Sequence, residues 1–162
     1  MTKRNLSIVA FIVQIVSAFL LYVDGTFIWY CHNLYENISQ DQHSFDWLID
    51  TQFDKGFLVL LMLLLILLNI GVSIISFFKD VEFLNKKSII ILPAITILTY
   101  IILCMYGNSY STTFEYYGEI RYGSAGLGMM FYVELVLLVV NLIIECAKQY
   151  MKLPYAEKVN VQ

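Results

Sequence analysis

Phe57 to Phe78 reads FLVLLMLLLILLNIGVSIISFF and contains no charged side chain. About 20 apolar residues in a helix span a hydrocarbon layer of about 30 Å. A helix at the surface of a soluble domain keeps one polar face, because one side meets water. This stretch is apolar on every face for about six turns. It reads as a transmembrane helix, and lipid is therefore the solvent against which the rest of the chain has to be judged.

Three weaker apolar runs complete the pattern. Leu6 to Val23 follows Lys3 and Arg4. A basic start before an apolar run resembles a secretory signal, but the run is long for one, and Asp24-Gly-Thr-Phe is no small-residue cleavage site. It reads as a retained signal-anchor. Ser88 to Tyr106 is the third span, with Ser88 as its N-cap. Pro93 in its second turn removes a backbone bond and predicts a mild kink. Gly126 to Ala147 is the fourth. The expected fold class is all-α membrane: a four-transmembrane-helix bundle forming one domain over residues 1–162. Its spans are 6–23, 57–78, 88–106 and 126–147, its outer loops 24–56 and 107–125, its cytoplasmic link 79–87 and its tail 148–162. The tail is expected to be disordered beyond Pro154.

Charge tests this scheme independently. Four spans put the N-terminus, the link and the tail on one side. That side holds Lys3, Arg4, Lys79, Lys86, Lys87, Lys148, Lys152 and Lys158, eight of the ten basic residues. Lys55 and Arg121 are the other two. The positive-inside rule then places both termini in the cytoplasm of a plasma membrane. Dropping any one span would scramble this distribution.

The loops have character of their own. Residues 24–56 are acidic and rich in aromatic side chains. Thr26 to Cys31 is β-branched and aromatic, which leaves room for a short strand. Phe45, Leu48, Ile49 and Phe53 recur at helical spacing and predict an amphipathic turn or two on the membrane, with Trp47 at headgroup level. Residues 107–125 read as a polar, tyrosine-rich loop, and Phe131 and Tyr132 beyond it as interface anchors.

Composition removes several function classes. Charged residues are 14% of the chain, against roughly 25% in soluble domains. That excludes a soluble enzyme and a disordered tail. The net charge of −3 and the absence of a basic patch argue against nucleic acid as a partner. Cys31, Cys104 and Cys146 form no C-x-x-C, and two lie in apolar runs, so no disulfide framework is expected. Abundant Ile, Tyr, Asn and Lys with little Arg and Pro suggest an AT-rich coding sequence and a bacterial source.

Polar residues inside the spans fall on stripes. Ser7, Ala10, Gln14, Ser17, Leu21 and Asp24 share one face of the first span. Asn69, Ser73 and Ser76 share a face of the second, and Glu134, Leu138, Asn141 and Glu145 a face of the fourth. Such stripes mark helix–helix contacts in lipid. Counting about 1.5 Å per residue, Asn69 lies ~18 Å and Asn141 ~21 Å from the outer end, with Gln14 at a similar level. An interhelical amide layer of Gln14, Asn69 and Asn141 is expected, structural glue on the plainer account and a permeation or binding site on the sharper one. Glu134, at ~10 Å depth, should face the bundle or water, because an intramembrane carboxylate is costly. Ser17 and Tyr100 are at comparable depth as hydrogen-bond donors, and Arg121 is within reach as a counter-charge if its loop folds down. These four form the candidate proton or ligand site; a structural carboxylate is the alternative. Asp24 reads as a solvated helix end, and Glu145 as a partner of Lys148 at i+3.

Signals for catalysis or cofactors are poor. Asp24-Gly25-Thr26 begins like the D-G-x-x-A-R of membrane phosphatidyltransferases but lacks the later elements. His32, Asp41 and His43 share a loop, but their spacing is irregular and no second cluster supports a metal. No G-x-S-x-G, H-E-x-x-H or P-loop is present. The expectation is no enzyme, no metal and no cofactor.

One stretch carries a resemblance. Tyr122-Gly-Ser-Ala-Gly-Leu-Gly-Met-Met-Phe-Tyr-Val, leading into the apolar run to Ile144, resembles the glycine–aromatic lead-in to the last helix of small bacterial four-span proteins. Their shared features imply cytoplasmic ends and a long first outer loop. Glu134 interrupts a helix that is usually uncharged in them, so no functional residue carries over. The topology is also similar to the claudin and peripheral-myelin class, although the W-G-L-W and paired cysteines of the claudin first loop are absent and only Trp29 and Cys31 stand nearby. The expected function is a non-catalytic membrane protein acting through protein–protein contact as a subunit, scaffold or toxin-immunity protein. Its partners would be the bilayer and either a protein at the outer face or a second copy. The alternative is a small transporter or channel subunit using Glu134.

Overall fold

The computed structural model describes residues 3–32, 38–51, 56–78 and 86–150. Four helices in it are long and apolar enough to cross a membrane. They are α1 (Lys3–Leu20), α3 (Gly56–Phe78), α4 (Lys86–Asn108) and α5 (Met129–Tyr150), with a short α2 (Phe45–Thr51) between the first two. The chain has the build of a multi-pass membrane protein. The tail beyond residue 150 and most of the 79–87 link lie outside the described residues.

The spanning helices form a ring. α1 packs on α3 and α5, and α4 packs on the same two, so α1 stands opposite α4. The polarity of this bundle is inverted relative to a soluble protein. Ile12, Leu60, Leu67, Leu98, Val136 and Ile143 are exposed on its outside, while Gln14, Asn69, Ser73, Thr96, Glu134 and Asn141 are buried within. Lipid accepts the first set without cost, and the second set must find partners in the bundle because hydrocarbon offers none.

The all-α expectation needs correction. Four strands stand on one end of the bundle: β1 (Phe27–His32), β2 (Ile38–His43), β3 (Ser111–Tyr116) and β4 (Glu119–Leu127). They form one antiparallel sheet in the order β2-β1-β4-β3. The first loop does contain a strand, as its aromatic and β-branched run implied, but the second loop supplies half the sheet. β4 is hard to read as a strand because EIRYGSAGL holds two glycines, and glycine is depleted in strands. Pairing on both sides overrides that preference. The glycine is also needed: a methyl group at Gly123 would stand 1.9 Å from the Trp29 ring across the β1–β4 ladder.

The last helix accordingly starts at Met129 and not at Gly126, which remains in β4. α4 starts at Lys86, so Ser88 lies inside the helix rather than at its cap, and the helix runs through Pro93. α1 ends at Leu20, with Leu21 to Val23 continuing as a turn.

The inner face of the sheet is tied to the bundle by aromatic rings. Phe27 is fully buried, edge-on to Phe45 at 5.4 Å and tilted on Trp47 at 5.5 Å. Phe45 continues to Tyr100 at 5.8 Å, and Tyr100 stacks on Phe131 at 5.6 Å. Trp47 also meets Trp29, Tyr110 and His43. This revises one expectation: Phe131 is core and not an interface anchor. Trp47 lies on the short helix expected at Phe45 and forms part of the joint between sheet and helices. Tyr132 stays exposed. Phe53 lies outside the described residues. The sequence pattern found these rings amphipathic, and the sheet, absent from that reading, is what covers them.

Candidate functional site

The bundle interior holds most of the residues singled out from the sequence, in two layers. In the middle layer, Gln14 of α1 donates from Nε2 to Asn141 Oδ1 of α5 at 2.7 Å, and Ser73 of α3 donates to Gln14 Oε1 at 3.5 Å. Asn69 turns the other way. Its Nδ2 donates to Thr96 Oγ1 of α4 at 2.9 Å and to the Leu65 carbonyl at 2.8 Å, while Thr96 donates to the Leu92 carbonyl. The amide layer therefore exists as two linked pairs of helices, α1 with α5 and α3 with α4, and Ser73 joins them. Asn69 does not bond to Gln14 or Asn141. Thr96 and Ser73 are the residues the sequence level did not assign to this layer. The signal was present on α4, where Thr96, Thr99 and Tyr100 recur at helical spacing and are all buried.

Glu134 defines the second layer, nearer the sheet. It is buried, and Ser17 donates to its Oε1. Its other oxygen, Oε2, has no hydrogen-bond partner among the described residues. The remaining two candidates sit elsewhere. Tyr100 Oη donates to the Phe131 carbonyl at 3.2 Å. Arg121 does not descend to Glu134. It pairs with Phe114 in the β3–β4 ladder, six residues before the end of β4 at Leu127. At about 3.3 Å per residue that is about 20 Å from the top of α5. The sheet holds it away, for the same reason that residues 107–125 are not a loop. Comparison with protein-family models, with characterised proteins and with solved structures gives no match to this chain.

The peripheral candidates fall out simply. Glu145 and Lys148 make an ion pair at 2.7 Å inside the termini end of the bundle. Asp24 is exposed in the turn after α1. His43 stacks on Trp47, and Asp41 lies exposed on β2. Among the described residues no three His, Cys, Asp or Glu side chains come together.

What this interior does chemically is fix helix register and bury two carboxyl groups, Glu134 and Glu145, each with one oxygen that has no hydrogen-bond partner among the described residues. A double-mutant cycle with Gln14→Leu and Asn141→Leu measures the first role. The expected coupling is about 1 kcal/mol by SDS titration of the purified protein, in line with interhelical hydrogen bonds in lipid. Additive singles would show that the two amides do not act together.

Proposed function

We propose that this chain is a non-catalytic protein of the plasma membrane that acts through protein–protein contact at its sheet, as a subunit, scaffold or toxin-immunity protein. In this reading both termini are cytoplasmic, as the basic residues imply, and the sheet stands outside. The bundle then serves as a base, and the outward face of β3 and β4 as the working surface.

The observation that carries this reading is the β3–β4 hairpin tip. Tyr116 pairs with Glu119, leaving the two-residue turn Tyr117-Gly118. Both turn residues have positive φ, +52° at Tyr117 and +80° at Gly118. Asn, Asp or Gly normally fill the first of these positions, because a Cβ crowds the backbone there. A tyrosine that is 88% exposed occupies it instead. Backbone conformations of this kind persist at recognition sites. Ile120 and Tyr122 follow on one face of β4, 56% and 51% exposed, opposite Glu115 and Thr113 of β3. An aromatic and aliphatic patch rimmed by carboxylates is the composition of a contact surface. The similarity in topology to small bacterial four-span proteins, and to the claudin and peripheral-myelin class, is compatible with such a role.

The test combines Tyr117→Asn, which suits the turn, with Ile120→Ser and Tyr122→Ser. Cells carrying the triple variant should keep the protein inserted at the same level and with the same SDS midpoint. They should lose cross-linking to the physiological partner, or protection against a toxin encoded beside the gene. Retention of both activities would refute the assignment.

A second reading is favoured by the unpartnered Glu134 Oε2, which can accept a proton or a small cation. It predicts ion flux in proteoliposomes that disappears in Glu134→Gln. Equal flux in the two proteins would remove it.

A further inference from the structure

β3 ends the sheet and is paired on one side only. Which of its backbone groups remain open follows from a single contact. The Ala125 N–H donates to the Tyr110 carbonyl at 2.9 Å, just before the strand begins. Bonded pairs alternate along an antiparallel ladder, so those that follow are Thr112 with Gly123, Phe114 with Arg121 and Tyr116 with Glu119. Ser111, Thr113 and Glu115 therefore turn their N–H and C=O groups away from β4. Among the described residues no backbone hydrogen bond reaches them, and the Thr113 carbonyl meets only the Thr112 hydroxyl, at 3.4 Å. All three residues are exposed.

Proteins guard such edges with lysine, proline, a bulge, an inward charge or a covering segment. Ser-Thr-Thr-Phe-Glu-Tyr has neither lysine nor proline, and its six pairs with β4 run without a bulge. At the opposite edge β2 carries Asp41 on the face of Trp29, a charge of the guarding kind. An open edge selects one kind of ligand, another extended backbone. Two further observations narrow it. A shallow depression of about 510 Å³ lies against Ser111, Thr113, Tyr122 and Ser124, which share the outward face. Glu115 is next on that face, and Arg121 is on the other. Residues 24–56 and 109–128, which carry the sheet, hold eight Asp and Glu against Lys55 and Arg121. We propose that β3 accepts an added strand from a partner protein, an extended segment with Lys or Arg at alternate positions. Its backbone bonds to Ser111, Thr113 and Glu115. One basic side chain lies opposite Glu115, and the next on that face enters the depression beside the Tyr122 ring. A second copy of this chain would bring the same excess of carboxylates and is disfavoured. The proposal rests on the β3–β4 surface being the working surface and names what that surface holds.

The full-length protein in phosphatidylcholine nanodiscs is titrated with the capped peptide Lys-Val-Lys-Val-Lys-Val-Lys and with its glutamate counterpart. The lysine peptide should bind about tenfold more tightly at low salt, a margin that shrinks as salt rises. On binding, amide exchange read by NMR should slow at Ser111, Thr113 and Glu115 but not at Thr112 and Phe114, which already bond to β4. Thr113→Pro removes an outward N–H at a position where an edge strand tolerates proline, and should abolish binding. Glu115→Lys should cut the preference for the lysine peptide about threefold. Equal binding of the two peptides overturns the proposal, as does a preference unchanged in Glu115→Lys. Binding without the alternating protection overturns it too, because charge alone would then hold the peptide. Dimerisation of the native protein that Thr113→Pro abolishes would give the edge to a second copy instead. Should Thr113→Pro fail to fold, the exchange pattern decides. Partner cross-linking that survives Thr113→Pro but is lost in the Tyr117, Ile120 and Tyr122 triple variant removes the added strand and keeps the surface. Survival in both removes both.

Discussion

Gly128→Ala is expected to destabilise the protein by about 3 kcal/mol or more, at the upper end for overpacking substitutions. A methyl group at Gly128 would stand 2.0 Å from the Gly25 carbonyl oxygen. That oxygen belongs to backbone and has work to do: it accepts from the Met130 N–H at 3.1 Å, in the first turn of α5. The Gly128 N–H donates to the Thr26 carbonyl at 2.9 Å. The first N–H groups of any helix lack intrahelical acceptors, and here the turn before β1 provides one. An added methyl group cannot be absorbed by rotating a side chain. It must separate the start of β1 from the start of α5 and break these bonds together. An SDS titration of the purified protein reads the loss. Gly71→Ala is the matched control, because nothing lies within 4 Å of a methyl group there. It should be neutral or stabilising by up to about 1 kcal/mol. Equal midpoints for Gly128→Ala and the native protein would show that the sheet–helix junction has slack that the geometry does not display.

Phe27→Ala should cost about 3–5 kcal/mol, the range for deleting a buried phenylalanine. Phe27 is the ring through which the sheet meets Phe45, Trp47 and the aromatic column down to Phe131. Its removal leaves a cavity between the sheet and the bundle, although the Trp47 ring contacts and the Gly25–Met130 and Thr26–Gly128 bonds still join them. The effect should be local. Hydrogen exchange should speed up in residues 27–32 and 119–127, while the Gln14–Asn141 region in the middle of the bundle keeps its protection. Phe27→Leu, which keeps most of the volume, should lose less than half as much. Uniform loss of protection along all four helices would mean that sheet and bundle unfold as one unit.

The transmembrane part was legible because its cause is local. A run such as Phe57 to Phe78 has only one low-energy answer in lipid, and the backbone satisfies its hydrogen bonds within the run itself. Polar spacing also marked the buried faces: Gln14 with Asn141, Ser17 with Glu134 and Glu145 with Lys148 are all contacts in the folded chain. Each of those residues had to point inward, because the lipid side could not solvate it. Which inward residue would meet which neighbour was a different matter. Asn69 found Thr96 because α3 packs beside α4, and Tyr100 gave its hydroxyl to the Phe131 backbone rather than to Glu134. Arg121 was drawn away from Glu134 altogether by its place in a strand.

The amino-acid sequence by itself determined four membrane-length helices, their polar seams and the asymmetry of basic charge. Tertiary structure alone decided that two loops far apart in the chain become one sheet, that a glycine-rich lead-in becomes one of its two central strands, and where the last helix begins. The physical reason is range. Helix hydrogen bonds close within four residues, so the chain declares them locally. The β1–β4 ladder joins residues 27–32 to 122–127, partners about ninety to a hundred positions apart that local sequence does not declare.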